Sequence, residues 1–201
     1  LELGHIAALE SRVAYPGNYL LYPMAGRWRV FTAGGLSSSR LRAVSPGTVW
    51  WAVGPVIHAI RTHDPNPTVE VRSPGAVVWL GYDEGHRALV WVAGREVLRR
   101  PEDGGEVSTV LRTGAPVRGA LPSGTGHRVG FITGDSLVVW DPIDDSARRV
   151  ALGGLKPVAL FETPAGEVLV QTGGGRGDPP RLARADFAAG RCMTLEVPPV
   201  K

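Results

Sequence analysis

The sequence has little cysteine, lysine or side-chain amide, and it has no long hydrophobic run. The single cysteine, Cys192, cannot form a disulfide within the chain, which excludes small domains that depend on such bonds. No run reaches the roughly 20 apolar residues that a membrane helix needs, so we expect no membrane association. Lysine occurs only as Lys156 and Lys201, while arginine is frequent, a bias that favours a GC-rich or thermophilic source.

A targeting signal, helical periodicity and a cofactor motif are also missing. The segment Leu1–Leu9 lacks the apolar run of a secretion signal, and we therefore expect a cytoplasmic protein. The one helical candidate, Arg181–Gly190, is short and lacks a capping residue. The glycine run Gly173–Gly177 lacks the Gly-Lys-Ser/Thr ending of a phosphate-binding loop. We expect neither a cofactor nor a bound metal.

Short apolar runs rich in β-branched and aromatic residues fill the chain instead. Examples are Thr48–Val53, Ala88–Val92 and Ser136–Trp140, and glycine or proline bounds each run. Many short strands separated by turns are typical of an all-β protein.

Similar strand–turn–strand junctions recur along the chain. The segment Val44–Trp51 is echoed by Arg72–Trp79, and the junctions are marked by Gly47, Gly75, Gly114 and Gly154. Units of about 40 residues with four antiparallel strands are typical of propeller blades. The repeat predicts a β-propeller of about five four-stranded blades, with a β-sandwich or barrel as the alternative fold.

We predict a single propeller domain over residues 1–201. The blades are expected at approximately 4–46, 47–74, 75–113, 114–153 and 154–200. In the fourth blade the expected strands are 116–121, 127–133, 136–140 and 147–152. The unit 47–74 is too short for four full strands and is expected to be a trimmed blade.

One blade carries a family resemblance. The segment Gly134–Asp141 ends in Trp-Asp and resembles the third strand of WD40 repeats. Gly126-His127 is similar to the Gly-His pair of that family, although it lies too close to the Trp-Asp ending. The resemblance covers one blade and implies a propeller-like interaction module.

Residues for catalysis are not arranged in any recognised pattern. There is no nucleophile elbow and no paired-histidine metal motif, and Cys192 is expected to be a buried thiol. His86 and His127 occupy matching places before a strand and are expected to cap turns. The predicted first strands of the blades contain no Asp or Glu, which argues against a propeller glycosidase. These strands are expected at Ile6–Leu9, Val49–Val53, Val77–Leu80, Val117–Leu121 and Val158–Phe161. We therefore expect a protein that is not an enzyme.

Binding residues are expected on the loops that join the fourth strand to the first and the second strand to the third, which share one face of a propeller. The predicted residues are Arg27, His63, Asp64, Arg95, Arg112, Asp135, Lys156, Arg176 and Asp178. Of the adjacent pair Trp50 and Trp51, one is expected to be accessible to a ligand, because neighbours in a strand point to opposite faces.

Three partner hypotheses follow from this composition. Mixed charge on these loops favours a protein partner, and hence a scaffold subunit of a larger complex. The basic N-terminal part, with Arg12, Arg27 and Arg40 among its arginines, makes nucleic acid or a ribonucleoprotein the first alternative. A glycan is the second alternative, and a buried small molecule is not expected. The tripeptide Arg176-Gly177-Asp178 is interpreted as chance in an intracellular chain.

Overall fold

The described part of the chain is all-β and contains no helix. A computed structural model describes residues 19–24, 27–32, 42–45, 47–61, 64–173 and 180–195. The chain divides into two compact units, Leu1–Thr109 and Val110–Lys201. Among the described residues there is no helix of a length and hydropathy that could cross a bilayer.

The first unit contains a hairpin and two four-stranded antiparallel sheets. The hairpin pairs β1 (Tyr19–Met24) with β2 (Arg27–Thr32). Sheet 1 has the order β3 (Arg42–Val44), β4 (Thr48–Val53), β5 (Val56–Arg61) and β6 (Asp64–Arg72). Sheet 2 consists of β7 (Val77–Asp83), β8 (Ala88–Ala93), β9 (Glu96–Pro101) and β10 (Ser108–Arg112), and β10 leads the chain into the second unit.

The second unit contains two further groups of four antiparallel strands. Sheet 3 consists of β11 (Val117–Pro122), β12 (Val129–Thr133), β13 (Ser136–Asp141) and β14 (Ser146–Ala151). Sheet 4 consists of β15 (Pro157–Glu162), β16 (Val168–Thr172), β17 (Arg181–Asp186) and β18 (Arg191–Thr194). Parallel pairing of Ala151 with Arg191 joins β14 to β18, so the eight strands form one continuous hydrogen-bonded system.

Successive side chains of a strand point to opposite faces of the sheet, and this alternation explains how both units form an apolar core. In sheet 3, Leu137 and Val139 point to one side, where they pack with Leu160 and Val170 of sheet 4. In the first unit, Trp50 and Trp91 belong to a comparable cluster of buried side chains. Each unit therefore buries apolar faces between its own sheets, as four-stranded sheets need in order to be stable.

Tight turns link the second and third strands of sheets 2 and 3. Gly94 and Gly134 each have φ of 60° in these turns. A side chain is disfavoured at that φ, so glycine at these positions permits the two-residue hairpins.

The strand pattern confirms several predictions. The four strands expected within 114–153 are all present, with ends shifted by one or two residues. Arg181–Gly190 forms β17 and a turn, not a helix. Sheet 1 takes its first strand, β3, from before Gly47, so the unit 47–74 is not a sheet by itself. The blade boundaries and the number of blades stay predictions.

Candidate binding cleft in the second unit

The second unit has an open cleft of about 340 Å³ at one end of sheets 3 and 4. The β13–β14 turn, the β15–β16 loop and the end of β17 surround it. The charged side chains that line it are Arg128, Asp141, Asp144, Arg148, Glu167, Arg184 and Asp186. Volume and shape are compatible with a ligand site, but the lining is more polar than that of most small-molecule pockets.

Arg128, immediately before β12, has the most contacts of the cleft arginines. Its Nε donates to Asp141 Oδ2 at 3.0 Å, and its Nη1 donates to the carbonyl oxygen of Gly166 at 2.9 Å. The same Nη1 lies 3.3 Å from Glu162 Oε2. Because these partners come from both sheets, the guanidinium links sheet 3 to sheet 4 beside the cleft.

Glu162, at the end of β15, fixes the loop that precedes Arg128. Its carboxylate is only 8% exposed and accepts the Arg128 backbone N–H at 2.9 Å. The Thr125 hydroxyl donates to the Glu162 carbonyl oxygen and accepts the Glu162 N–H, both at 2.7 Å. A Cβ on Gly126 would lie 2.2 Å from Glu162 Oε1, so only glycine allows this close approach.

Hydrogen bonds stabilise the ionised form of Asp141. Desolvation, the largest single influence, acts to raise its pKa. Hydrogen bonds from the Ile143 N–H, from Arg128 and from His127 outweigh it and hold the pKa of Asp141 below its ordinary value. His127 Nε2 donates to Asp141 Oδ1 at 3.1 Å. The carboxylate therefore holds two basic side chains in place.

The opposite wall of the cleft has a second ion pair and a cation–π contact. Arg184 Nη1 lies 3.4 Å from Glu167 Oε1, and both side chains are partly exposed. The Arg148 guanidinium lies 5.7 Å from the centre of the Phe187 ring, within the range of a cation–π interaction.

Two further aspartates complete the lining. Asp144 Oδ1 accepts the Ser146 N–H at 2.9 Å, and hydrogen bonding to Ser146 lowers the pKa of Asp144. Asp186 Oδ1 accepts the N–H groups of Ala188 and Ala189 at 3.1 and 2.9 Å. Each aspartate closes its own turn through one oxygen.

The described part of the first unit has polar clusters of a related kind. Asp83 Oδ2 accepts hydrogen bonds from His86 Nδ1 at 2.9 Å and from Arg99 Nη2 at 3.0 Å. Glu102 accepts hydrogen bonds from the Tyr82 and Ser45 hydroxyls. Desolvation and the Glu102 hydrogen bond raise the pKa of Tyr82 to about 12. Among the described residues of both units, no group of three or more His, Cys, Asp or Glu side chains forms a metal site.

The structure distributes the predicted binding residues over both units. Arg27 begins β2, Asp64 begins β6, Arg95 lies in the β8–β9 turn, Arg112 ends β10, Asp135 lies in the β12–β13 turn, and Lys156 precedes β15. His63, Arg176 and Asp178 lie outside the described residues.

Two of the predicted residues in the second unit are at the end of the strands opposite the cleft. Asp135 accepts the Gly154 N–H through Oδ1 at 3.1 Å, and its carbonyl oxygen accepts the Leu152 N–H at 2.9 Å. Asp135 thus holds the β14–β15 loop, and Lys156 is the exposed last residue of that loop. Their binding role stays a prediction.

Two sequence expectations were wrong. Trp50 and Trp51 are each 1% exposed, so neither can stack on a ligand. Trp50 stacks on Tyr82 and Trp51 on His58, so both faces of the strand are covered. Cys192, which was expected to be a buried thiol, is half-buried against the core, and burial raises the pKa of this thiol.

The other wrong expectation concerns the first strands of the sheets. They do contain carboxylates, because β7 extends to Asp83 and β15 extends to Glu162. The prediction ended both strands too early, at Leu80 and Phe161. No local signal connects Glu162 with Arg128, because the two residues belong to different sheets and lie 34 positions apart.

Comparison with known proteins gives the fold only. No family model matches the chain, and no curated protein sequence matches it. The WD40 resemblance is therefore not confirmed.

Several solved structures are similar in fold. A hydrazine synthase of Kuenenia stuttgartiensis has a TM-score of 0.55 and 12% identity, covering 79% of this chain and 49% of that one. An auxiliary nutrient binding protein of Bacteroides thetaiotaomicron has a TM-score of 0.53 and 7% identity, covering 78% of this chain and 40% of that one. The extracellular domain of the B. thetaiotaomicron one-component system BT4673 has a TM-score of 0.56 and 13% identity, covering 90% of this chain and 26% of that one.

These similarities support a β-propeller-like fold, and the chain spans half or less of the length of each structure. They also contradict the expected cytoplasmic location, because the similar structures include extracellular domains and a bacterial surface component. The interpretation of Arg176-Gly177-Asp178 as chance assumed an intracellular chain, and that assumption no longer holds.

Proposed function

We propose that this chain is a non-catalytic binding module that engages a protein partner outside the cytoplasm. The cleft of the second unit carries the argument against catalysis. A general acid needs a carboxyl group whose pKa is raised, as in glycosidases with paired carboxylates. In this cleft the pKa values of Asp141 and Asp144 are both lowered. Both groups are ionised at neutral pH and suit binding by hydrogen bonds and charge.

We infer that the four sheets are successive blades of a propeller of about five blades. Three of them have the first-to-fourth strand order of a blade, and sheet 1 has it with a short β3. Blades near 4–46, 47–74, 75–113, 114–153 and 154–200 remain the proposed division of residues 1–201. The auxiliary nutrient binding protein and the extracellular domain of a one-component system among the similar structures support a binding role, whereas the hydrazine synthase is an enzyme.

The nucleic-acid hypothesis has less support. Three of the N-terminal arginines that motivated it, Arg12, Arg27 and Arg40, have no described side-chain position. The cleft has four carboxylates beside three arginines, and this balance disfavours a polyanion.

A photo-crosslinking experiment tests the protein-binding proposal. Benzoylphenylalanine is introduced separately at Lys156 and at Ile143, with exposed Asp103 in the first unit as the control position. We expect one defined protein to be captured from the native source at Lys156, at Ile143 or at both, but not at Asp103. Absence of capture at both positions would overturn the protein-binding proposal, and hydrolysis of a chromogenic glycoside by the chain would overturn its non-catalytic part.

A further inference from the structure

The charges of the cleft are only partly balanced within the chain. Asp141 is paired with Arg128, and Glu167 is paired with Arg184. Three charged groups remain, Arg148, Asp144 and Asp186. The cleft therefore offers a partner one cation and two anions at positions fixed by the fold.

Arg148 is oriented for an external anion. Among the described residues it has no carboxylate within ion-pair distance, and its guanidinium is held over Phe187. A stacked guanidinium keeps its in-plane N–H groups available, and these match the two oxygens of a carboxylate. Because the stacking restricts the side chain, less freedom is lost when an anion binds.

Asp144 and Asp186 present acceptors. In each, Oδ1 accepts backbone N–H groups of its own turn, and Asp144 also accepts a hydrogen bond from the Ser146 side chain. Because a carboxylate has about four acceptor positions, both aspartates can accept further hydrogen bonds from a partner. These oxygens suit an ammonium, a guanidinium or a backbone N–H. A ligand with negative charge alone would meet Arg148 favourably but would be repelled by both aspartates.

An exposed apolar side chain lies between two cleft residues in the sequence, although it does not itself line the cleft. Ile143 is 68% exposed and belongs to the same β13–β14 turn as Asp144, and its N–H donates to Asp141. The hydrogen bond fixes the turn that displays Ile143. An apolar contact next to unpaired charges suits a polypeptide. A sugar is less suited, because a sugar ring would stack on the face of Phe187, and Arg148 occupies one side of that ring.

We propose that the cleft binds a mixed-charge protein segment, with a carboxylate on Arg148, a basic or N–H group on Asp144 and Asp186, and an apolar side chain on Ile143. This inference rests on the proposed protein-binding function and specifies the chemistry of the partner. It also places binding at the end of the strands opposite Asp135 and Lys156.

Capped synthetic hexapeptides titrated into the isotope-labelled full chain test the inference. The probe has an Ile-Glu-Lys core, one matched peptide has Gln in place of Glu, and another has Glu in place of Lys. Glucuronate is the sugar probe. We expect the Ile-Glu-Lys peptide to shift the Arg148 Nε–H and Ile143 methyl resonances, with weaker binding by both matched peptides.

Two variants sharpen the result. Arg148→Gln should weaken binding of the peptide by about tenfold, because one charged hydrogen-bonded contact is lost. Arg118→Gln changes an exposed arginine of β11 outside the cleft and should leave the dissociation constant within about twofold. Equal effects of the two variants would overturn the assignment of Arg148.

The remaining outcomes separate this inference from the proposed function. If no peptide shifts the cleft resonances while crosslinking at Lys156 captures a protein, the inference is wrong and the binding function stands. If glucuronate shifts the same resonances and the peptides do not, the cleft is a sugar site and the inference is wrong. If neither peptides nor crosslinking gives a signal, both proposals are wrong.

Discussion

The dipeptide His-Arg precedes the second strand in both sheet 2 and sheet 3, but the two arginines have different contacts. Arg87 is 82% exposed and reaches only to 3.9 Å from Glu102 Oε2. Arg128 is 26% exposed, hydrogen bonds to Asp141 and lies within ion-pair distance of Glu162. The same local sequence thus gives a solvated side chain in one unit and a link between sheets in the other.

The difference arises from the neighbouring sheet and not from the dipeptide. In sheet 3 the loop before β12 meets Glu162 of sheet 4, which accepts the Arg128 N–H. The histidines, in contrast, behave alike: His86 and His127 each donate to an aspartate of their own sheet. The repeated dipeptide therefore keeps a histidine–aspartate hydrogen bond within each sheet, although the aspartate lies on a different strand, while the contacts of the arginine depend on the neighbouring sheet.

The largest expected effect is on stability, and it distinguishes Arg128 from Arg87. Arg128→Ala leaves the buried Glu162 carboxylate without its cationic neighbour, and we expect the free energy of unfolding to fall by about 2–3 kcal/mol. Arg87→Ala removes an exposed, long ion pair and should cost less than about 0.5 kcal/mol. Urea denaturation of both variants measures the difference. Equal losses would show that Arg128 does not link the sheets.

The glycines before the two histidines give the next comparison. Gly126→Ala places a Cβ 2.2 Å from Glu162 Oε1, so the glutamate or the loop must shift. We expect a loss of about 1–3 kcal/mol, as for other overpacked sites. In Gly85→Ala the nearest atom is Asp83 Oδ1 at 3.5 Å, an ordinary contact, so little change is expected. Thermal unfolding of the matched pair tests this, and a larger loss for Gly85→Ala would contradict it.

These pairs also show how much the sequence could predict. The period-2 runs and the turn glycines, such as Gly134, predicted the strands of sheet 3 to within two residues, because both signals are local. The role of Glu162 was not predictable in that way. It depends on a contact between residues more than 30 positions apart, and a carboxylate at a strand end has no local feature that marks its partner.

The binding residues predicted for the second unit lie at the strand ends opposite the cleft, again because a contact between sheets has no local signal in the sequence. Loop charge was the only available criterion, and it selected Asp135 and Lys156. A concave surface depends on how two sheets pack, which a single sequence does not reveal. The cleft residues Arg148 and Asp186 lie on or at the ends of ordinary strands, where charge is usually interpreted as solvated.

Acid should affect the Arg128 contact through Asp141. Its folded-state pKa is lowered below 3.8, so the stability that its ionised form contributes is complete above the unfolded pKa. That contribution is lost as the pH falls below 3.8 and through the folded pKa. We expect Asp141→Asn to lower stability at neutral pH by about 1–2 kcal/mol and to flatten the acid limb of the stability profile. Asp103→Asn, an exposed control, should leave that limb unchanged, and an unaltered limb in Asp141→Asn would contradict the assignment.

The smallest expected effect concerns Tyr82. The ion pair of Glu102 with Arg87 is long, and the close partner of Glu102 is the Tyr82 hydroxyl. Tyr82 OH donates to Glu102 Oε2 at 2.7 Å, and desolvation followed by this hydrogen bond raises the pKa of Tyr82 to about 12. Because the folded pKa exceeds the unfolded value of 10.0, the stability associated with the neutral phenol is present below pH 10. It is lost as the pH rises toward 12. We expect Tyr82→Phe to cost about 1 kcal/mol at neutral pH and to remove this alkaline loss. Tyrosinate absorbance should show one phenol fewer titrating near pH 12, whereas Arg87→Ala should leave that titration almost in place. Arg87 acts to lower the pKa of Tyr82, so a downward shift of that pKa in Arg87→Ala would contradict this assignment.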